Sequence, residues 1–454
     1  MKSHSRVWAA TAGSFAVAVA AAVPSLAQDT NGLVPYGAMM VKVDHVIPGV
    51  GTVVIPESSL PQPAGQARTH FQFLIPEAPL TTPFNCLPPS RTCETPASLA
   101  CIYRLVPQSN GCNPNIVTTL SSGGHKAIGI VDAFHDQTAL SDLQTFSTTF
   151  GLPAPDLEVV YCSATSCTNV TTPPPACQTS SQCGWAHEES LDLQAAHSMA
   201  PHAKIFLVEA YSNSIADLLL AEEKAAQLVA GAGGGEVSNS WGGQDSSRDR
   251  SRDSHFVKSG VVFFASTGDH KNGGDPPYVA DIEYPSVSPD VVAVGGTQIV
   301  RGSNGSFMYE SAWDNGGGGL STGETRPSYQ NVVKNKVGSR RGVPDVAADA
   351  APESGLLVYC TPSSCGTESA FVITGGTSLA APLVAAMSNA AGHFRRSSIS
   401  QLGVIYRDLN GSEYNAISHG TCHNGPGASA VTLNATSGWN VCTGVGTPHG
   451  LSGL

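Results

Sequence analysis

Three stretches of this chain carry residues that could do chemistry together. The first is FVITGGTSLAAPLVAAM at residues 371–387: an apolar strand-like run, two glycines, then Thr377 and Ser378 opening an alanine-rich run that contains Pro382. Glycines at a strand end let the backbone turn where a side chain would clash. A serine in the first turn of a helix sits beside backbone N–H groups that have no helical partner, a setting that suits an oxyanion. The second stretch, WAHEESLDLQAAHSMAPHAKIFLVEA at 185–210, reads as helix, turn and strand, and sets Glu188 and Asp192 four residues apart on one helix face. Two carboxyls that close share a proton, and one is pushed to a higher pKa. Such a pair accepts protons in acid, where a histidine is already charged. The third, VVFFASTGDHKN at 261–272, is an apolar strand ending in Asp269. A protonated aspartate there could donate to an oxyanion beside the Ser378 N–H. Each stretch also has a purely structural reading: a helix cap, a solvated acidic face, a turn residue. Spacing alone leaves both open.

The elements around these residues alternate. Ala127–Val131 is a short apolar run closed by Asp132, the pattern of a buried parallel strand. Leu140–Leu143 opens a helix with Ser141 as cap. Leu157–Tyr161 and Lys204–Glu209 read as further strands. Residues 214–230 form a helix capped by Ser214, supported by Asp217 in its first turn and ended by glycines. Glu236–Trp241, Val261–Ala265 and Val291–Val294 are three more strands. The alternation predicts a doubly wound α/β fold, a mostly parallel sheet with helices on both faces. In such sheets the site lies beyond the carboxyl ends of the strands, where Ser378 and Asp269 both fall.

The chain has 454 residues, 41% of them hydrophobic, enough for one large α/β domain with appendages. Its net charge of −12, with no basic patch to offset it, argues against nucleic acid or an anionic membrane as partner. Residues 1–27 have the form of a secretion signal: Lys2 and Arg6, an uncharged run Val7–Val23, then Ser25-Leu26-Ala27. No other run is long and apolar enough to span a bilayer. Twelve cysteines suit an oxidising compartment. They fall in local couples (86 and 93, 101 and 112, 162 and 167, 177 and 183, 360 and 365, 422 and 442), and neighbour pairing is the simplest hypothesis. Residues 28–115 read as a short N-terminal extension with strand-like runs at Thr52–Ile55 and Phe71–Ile75, and 116–454 as the main domain.

Five ordered motifs, EESLD at 188–192, SNSWGG at 238–243, STGD at 266–269, YPSVSPDVVAVGGT at 284–297 and TGGTS at 374–378, resemble the sedolisin family of serine-carboxyl peptidases. The resemblance runs from about Lys126 to the C-terminus and implies a subtilisin-like fold. It also implies roles: Ser378 as nucleophile, Glu188 as general base and later acid, Asp192 as its orienting partner, Asp269 as oxyanion donor. Ser240, Trp241 and Gly242 would form the edge that pairs with a substrate backbone. Protein or peptide substrates, a monomer, an extracytoplasmic location and an optimum at roughly pH 3–5 are the corresponding expectations.

The chain departs from that family in two places. Members usually hold a calcium ion near the C-terminus through two aspartates. Ala416 and Asn440 stand at those positions, so no cofactor and no metal are expected. Family members also carry a long inhibitory prodomain, and residues 28–115 are short for one, so the prosegment is expected to be reduced or absent. Two rival readings remain on sequence grounds. One is a subtilisin-like enzyme with His187 or His197 as base and Asp132 as its partner. The other is a non-catalytic secreted binding protein on a peptidase fold.

Overall fold

The structure, a computed structural model, describes residues 32–77, 86, 93–247, 249–269, 279–280, 282–426 and 431–454. Residues 1–27, which the sequence reading takes as a secretion signal, lie outside the described residues. A central sheet runs in the order 307–312, 292–301, 261–266, 235–239, 127–133, 204–210, 156–161, with 346–349 added beside 292–301. Every pairing is parallel except that of Phe307–Ala312 with Val292–Arg301. The strands are apolar on both faces because both faces are covered. Ile128, Ile130, Ile205, Leu207, Phe264 and Val294 join a core with the helices Ser180–Met199 and Thr377–Ala391. Their alternate neighbours Val131, Phe206, Val208 and Phe263 join a second core with the helix Ile215–Gly231. This is the α/β architecture expected from the strand–helix alternation.

Local signals set most boundaries. Ser214 Oγ accepts from the Asp217 N–H at 3.1 Å and starts its helix; Gly233 and Gly234, both at positive φ, follow its end. The helix expected to start at Leu140 instead spans Ala139–Phe150, with Thr138 at its cap position. The Asp136 carboxylate accepts from Thr138 N and Oγ1, both at 2.9 Å, and turns the chain one step earlier. Ser141 then donates back to the Thr138 carbonyl from inside the first turn.

The N-terminal extension shares a sheet with the main domain. Val34–Tyr36, Met39–Ile47, Gly51–Pro56 and Gln72–Pro76 form an antiparallel sheet that continues into Phe371–Gly375 and Leu356–Tyr359. The extension is therefore hydrogen-bonded to the strand that leads into Ser378. All twelve cysteines are bonded in the six neighbour couples.

Candidate active site

The strand Phe371–Gly375 turns into the helix Thr377–Ala391 through Gly376, whose φ is 112°. A side chain at Gly376 would be strained by that φ and would also collide with the His70 carbonyl and lie 2.7 Å from Asp269 Oδ2. Ser378 is the second residue of the helix, so its N–H has no helical acceptor. It donates instead to the His70 carbonyl at 3.0 Å. Pro382, four residues on, has no N–H, which leaves the Ser378 carbonyl without its helical donor. Ser240 Oγ comes within 3.2 Å of that carbonyl, the longer of two acceptors open to its single proton. The spacing of serine and proline thus ties the helix start to residue 240. The Ser378 hydroxyl donates to the Ser240 carbonyl at 3.2 Å and accepts from the His70 N–H at 3.1 Å.

The helix Ser180–Met199 opens on a capping box between Thr179 and Gln182, then runs through the core. Glu188, Glu189 and Asp192 are each fully buried, so the solvated acidic face is excluded. Asp192 Oδ1 accepts from Ser240 Oγ at 2.7 Å. Burial, then the charges of Asp192 and Asp132, push the Glu188 carboxyl well above its usual range, while the nearby Ser378 hydroxyl draws it down. Neither Glu188 oxygen completes a hydrogen bond among the described residues. Asp269 sits just past the strand Val261–Ser266 and is buried. Its Oδ1 accepts from Thr377 N at 2.8 Å and Thr377 Oγ1 at 2.7 Å. Its Oδ2 has no partner among the described residues, and burial pushes its pKa up to about 7. Ser378, Glu188, Asp192, Asp269 and Ser240 are therefore gathered at one place from four separate segments.

The histidines named in the rival reading are elsewhere engaged. His187 Nε2 bonds Thr374 Oγ1 at 2.9 Å, the ring packs against Phe71 and Phe73, and burial lowers its pKa to about 3. His197 Nε2 bonds the Pro153 carbonyl at 3.0 Å. Asp132 instead joins the carboxyls. Burial, then the charges of Asp192 and Glu209, raise it well above its usual range. Asp132 and Glu209 are register partners on neighbouring parallel strands. Burial raises Glu209 to about 7, and it bonds His135 Nδ1 at 2.7 Å near the surface. This carboxyl row was not singled out from sequence. Its available signal was that two apolar strands, AIGIVD and KIFLVE, each close on an acid.

The cleft is filled by the chain's own extension. Arg68–Thr69 pairs antiparallel with Trp241–Gln244, Thr69 opposite Trp241 and Arg68 opposite Gly242. Upstream, Ala67 exchanges hydrogen bonds with Asn213 at 2.8 and 2.9 Å. The His70 ring lies between Ser266 Oγ at 2.6 Å and Glu283 Oε2 at 2.7 Å. Arg68 Nε meets the other Glu283 oxygen at 2.7 Å, and its Nη2 reaches the Asp269 carbonyl at 3.1 Å. Residues two apart on a strand point the same way, so one carboxylate serves both side chains. Burial alone would raise Glu283; the charges and hydrogen bonds of Arg68 and His70 outweigh it and hold the group below its usual pKa. Gly242 makes the room: a Cβ there would lie 2.6 Å from Glu283 Oε2 and 2.7 Å from His70 Cε1.

The C-terminal region around Ala416 and Asn440, where the resemblance implies calcium, has a different donor set. Asn440 is buried, and its Nδ2 lies 3.1 Å from the Ile417 and Thr436 carbonyls and 3.4 Å from that of Gly438. Its Oδ1 accepts from Cys442 N at 3.0 Å and Thr443 N at 3.1 Å. Those two backbone donors orient the amide with its protons toward the carbonyls. An amide N–H pair in the middle of converging carbonyls, with Ala416 beside Ile417 offering only a methyl, does not fit a cation.

The fold is subtilisin-like, and residues 178–392 match the model described as the Subtilase family. The chain is 30% identical to kumamolisin of Bacillus sp. (strain MN-32) over 380 residues, covering 79% of this chain and 63% of that protein. It is 32% identical to sedolisin of Pseudomonas sp. (strain 101) over 212 residues, covering 41% of this chain and 33% of that protein. A solved structure of Pseudomonas sedolisin, a serine-carboxyl proteinase complexed with pseudo-iodotyrostatin, aligns with TM-score 0.59 and 22% identity over 79% of this chain and 96% of that one. The chain spans less than two thirds of the length of these two curated relatives. Over most of its length the chain is thus similar to sedolisin-type peptidases.

Proposed function

We propose that this chain is a serine-carboxyl peptidase that hydrolyses peptide bonds through an acyl-enzyme and works best in acid. The observation that carries this reading is the extended segment at Ala67–His70. It lies antiparallel on Trp241–Gln244, with the His70 carbonyl on the Ser378 N–H at 3.0 Å and the free Asp269 oxygen beside it. A peptide substrate would be held in the same way, by main-chain pairing along a strand edge.

In this mechanism the Ser378 oxygen attacks the carbonyl carbon and its proton passes to Glu188. The oxyanion is held by the Ser378 N–H and the O–H of neutral Asp269. Glu188 returns the proton to the leaving amine as the C–N bond breaks. Water then repeats the sequence on the ester, again with Glu188 as base. Asp192, fixed by Ser240, raises the basicity of Glu188 through its charge. With the His70 carbonyl at the oxyanion position, the bond poised for attack is His70–Phe71. The extension then acts as an inhibitory segment and first substrate, and Glu283 selects peptides with basic side chains at the residue before the cut and two residues earlier. Protein or peptide substrates and an extracytoplasmic location follow, the latter supported by six disulfides.

The test is acid incubation of the wild type, Ser378→Ala and Glu188→Gln, followed by intact-mass analysis. The wild type should be cut after His70. Both variants should fold and remain uncut, with rates lower by more than about 10³-fold. Cutting by Ser378→Ala at the wild-type rate would end the proposal.

A further inference from the structure

We propose that the side-chain amide of Asn440 takes the place of a metal ion at the hub of the C-terminal loops, so that this chain holds them without calcium. The carbonyls of Ile417, Thr436 and Gly438 come from two loops distant in sequence and converge on one nitrogen, with Thr443 Oγ1 a fourth neighbour at 3.1 Å. Converging carbonyl oxygens repel one another unless something positive lies between them. A divalent cation does this with full charge; an amide does it with two N–H dipoles.

The two solutions exclude each other here. A calcium ion would need oxygen ligands and carboxylate charge, and this cage offers no carboxylate at residue 416 or 440. Asn440 could present its oxygen only by rotating its amide. The N–H groups of Cys442 and Thr443, now bonded to Oδ1, would then lose that acceptor in a buried turn. The same turn is pinned by paired backbone hydrogen bonds between Asn440 and Gly444, at 3.1 and 2.9 Å, and by the Cys422–Cys442 disulfide. The exchange of carboxylate for amide therefore changes the sign of what the residue brings to the cage, from a ligand for a cation to a substitute for one.

The test uses the full chain. Thermal unfolding by circular dichroism, in ~5 mM EDTA and in ~5 mM calcium chloride, should give Tm values within about 1 °C, and calorimetric titration with calcium should show no saturable binding. A Tm several degrees lower in EDTA and restored by calcium would overturn the proposal. The double variant Ala416→Asp, Asn440→Asp should invert the behaviour, with a Tm several degrees lower in EDTA and recovered by calcium. Asn440→Ala should lower the Tm equally in both solutions. A variant Asn440→Ala as stable as the wild type would show that the amide does not hold the loops. If no variant folds, the wild-type comparison alone decides.

Discussion

Replacing Asp269 by asparagine separates two functions of one carboxyl. In the fold its Oδ1 accepts twice from Thr377, and its Oδ2 is free beside the His70 carbonyl. An asparagine can keep both acceptor bonds through Oδ1 and place its NH2 where Oδ2 stood, a donor that does not titrate. The carboxyl of the wild type donates only while protonated, and its pKa stands at about 7. The group is raised, so the donor is fully present well below pH 7 and is lost as pH climbs through 7. At pH 8 about one molecule in ten keeps the proton. Because losing an oxyanion donor costs roughly 10²–10³ in rate, about 2.7–4 kcal/mol, the ionised remainder contributes little, and activity should fall close to tenfold for each unit above 7. Asp269→Asn should keep activity within about tenfold of wild type in acid and lose that alkaline fall, whereas Asp269→Leu should drop by the full donor cost at every pH. The assay is kcat/KM between roughly pH 3 and 9 on a fluorogenic peptide carrying Arg-Thr-His before the scissile bond, with the His70–Phe71 cut followed in parallel by mass. An Asp269→Asn profile with the wild-type alkaline limb would refute the reasoning, since the limb would then belong to another group.

Three further outcomes follow from the same geometry. Glu283→Gln leaves Arg68-like and His70-like side chains without their charged partner in a buried pocket, a loss of about 2–5 kcal/mol for a truncated buried pair; kcat/KM on the Arg-Thr-His peptide should fall at least ~30-fold, against less than ~3-fold on a peptide with alanine at both places. Gly242→Ala should block basic side chains by contact with Glu283 and also lower Tm, because the added Cβ would lie 2.6 Å from Glu283 Oε2 and 2.7 Å from both Glu283 Cβ and His70 Cε1 of the buried extension; equal cleavage by this variant would show that the pocket lies elsewhere. Replacing Cys422 and Cys442 together by alanine opens a 20-residue loop and should cost about 3 kcal/mol in urea unfolding, with a somewhat larger m because the unfolded chain is released.

Much of the fold is legible in the chain itself, because it is written in short-range pattern. Apolar runs ended by an acid or a glycine become the parallel strands, Ser214 and Asp217 start their helix, and cysteines a few residues apart find one another. The order of the motifs is likewise enough to name the residues of the catalytic proposal. The extension looked like an appendage for the opposite reason: residues 66–76 have no periodicity that announces a cleft, and their meaning comes from a strand register with Trp241–Gln244 and a contact with Ser378 that lies 308 positions away. Only the packed molecule could show that Glu188 and Asp192 face inward, since an acidic helix reads the same whether its carboxyls meet water or one another. Asn440 makes the point at the smallest scale. The sequence shows an amide where a carboxylate was expected, but which atom faces the carbonyls depends on two backbone donors, Cys442 and Thr443, that a folded turn brings to the other side. Local preference sets the elements; the chemistry arises where elements distant in the chain remove the same atoms from water.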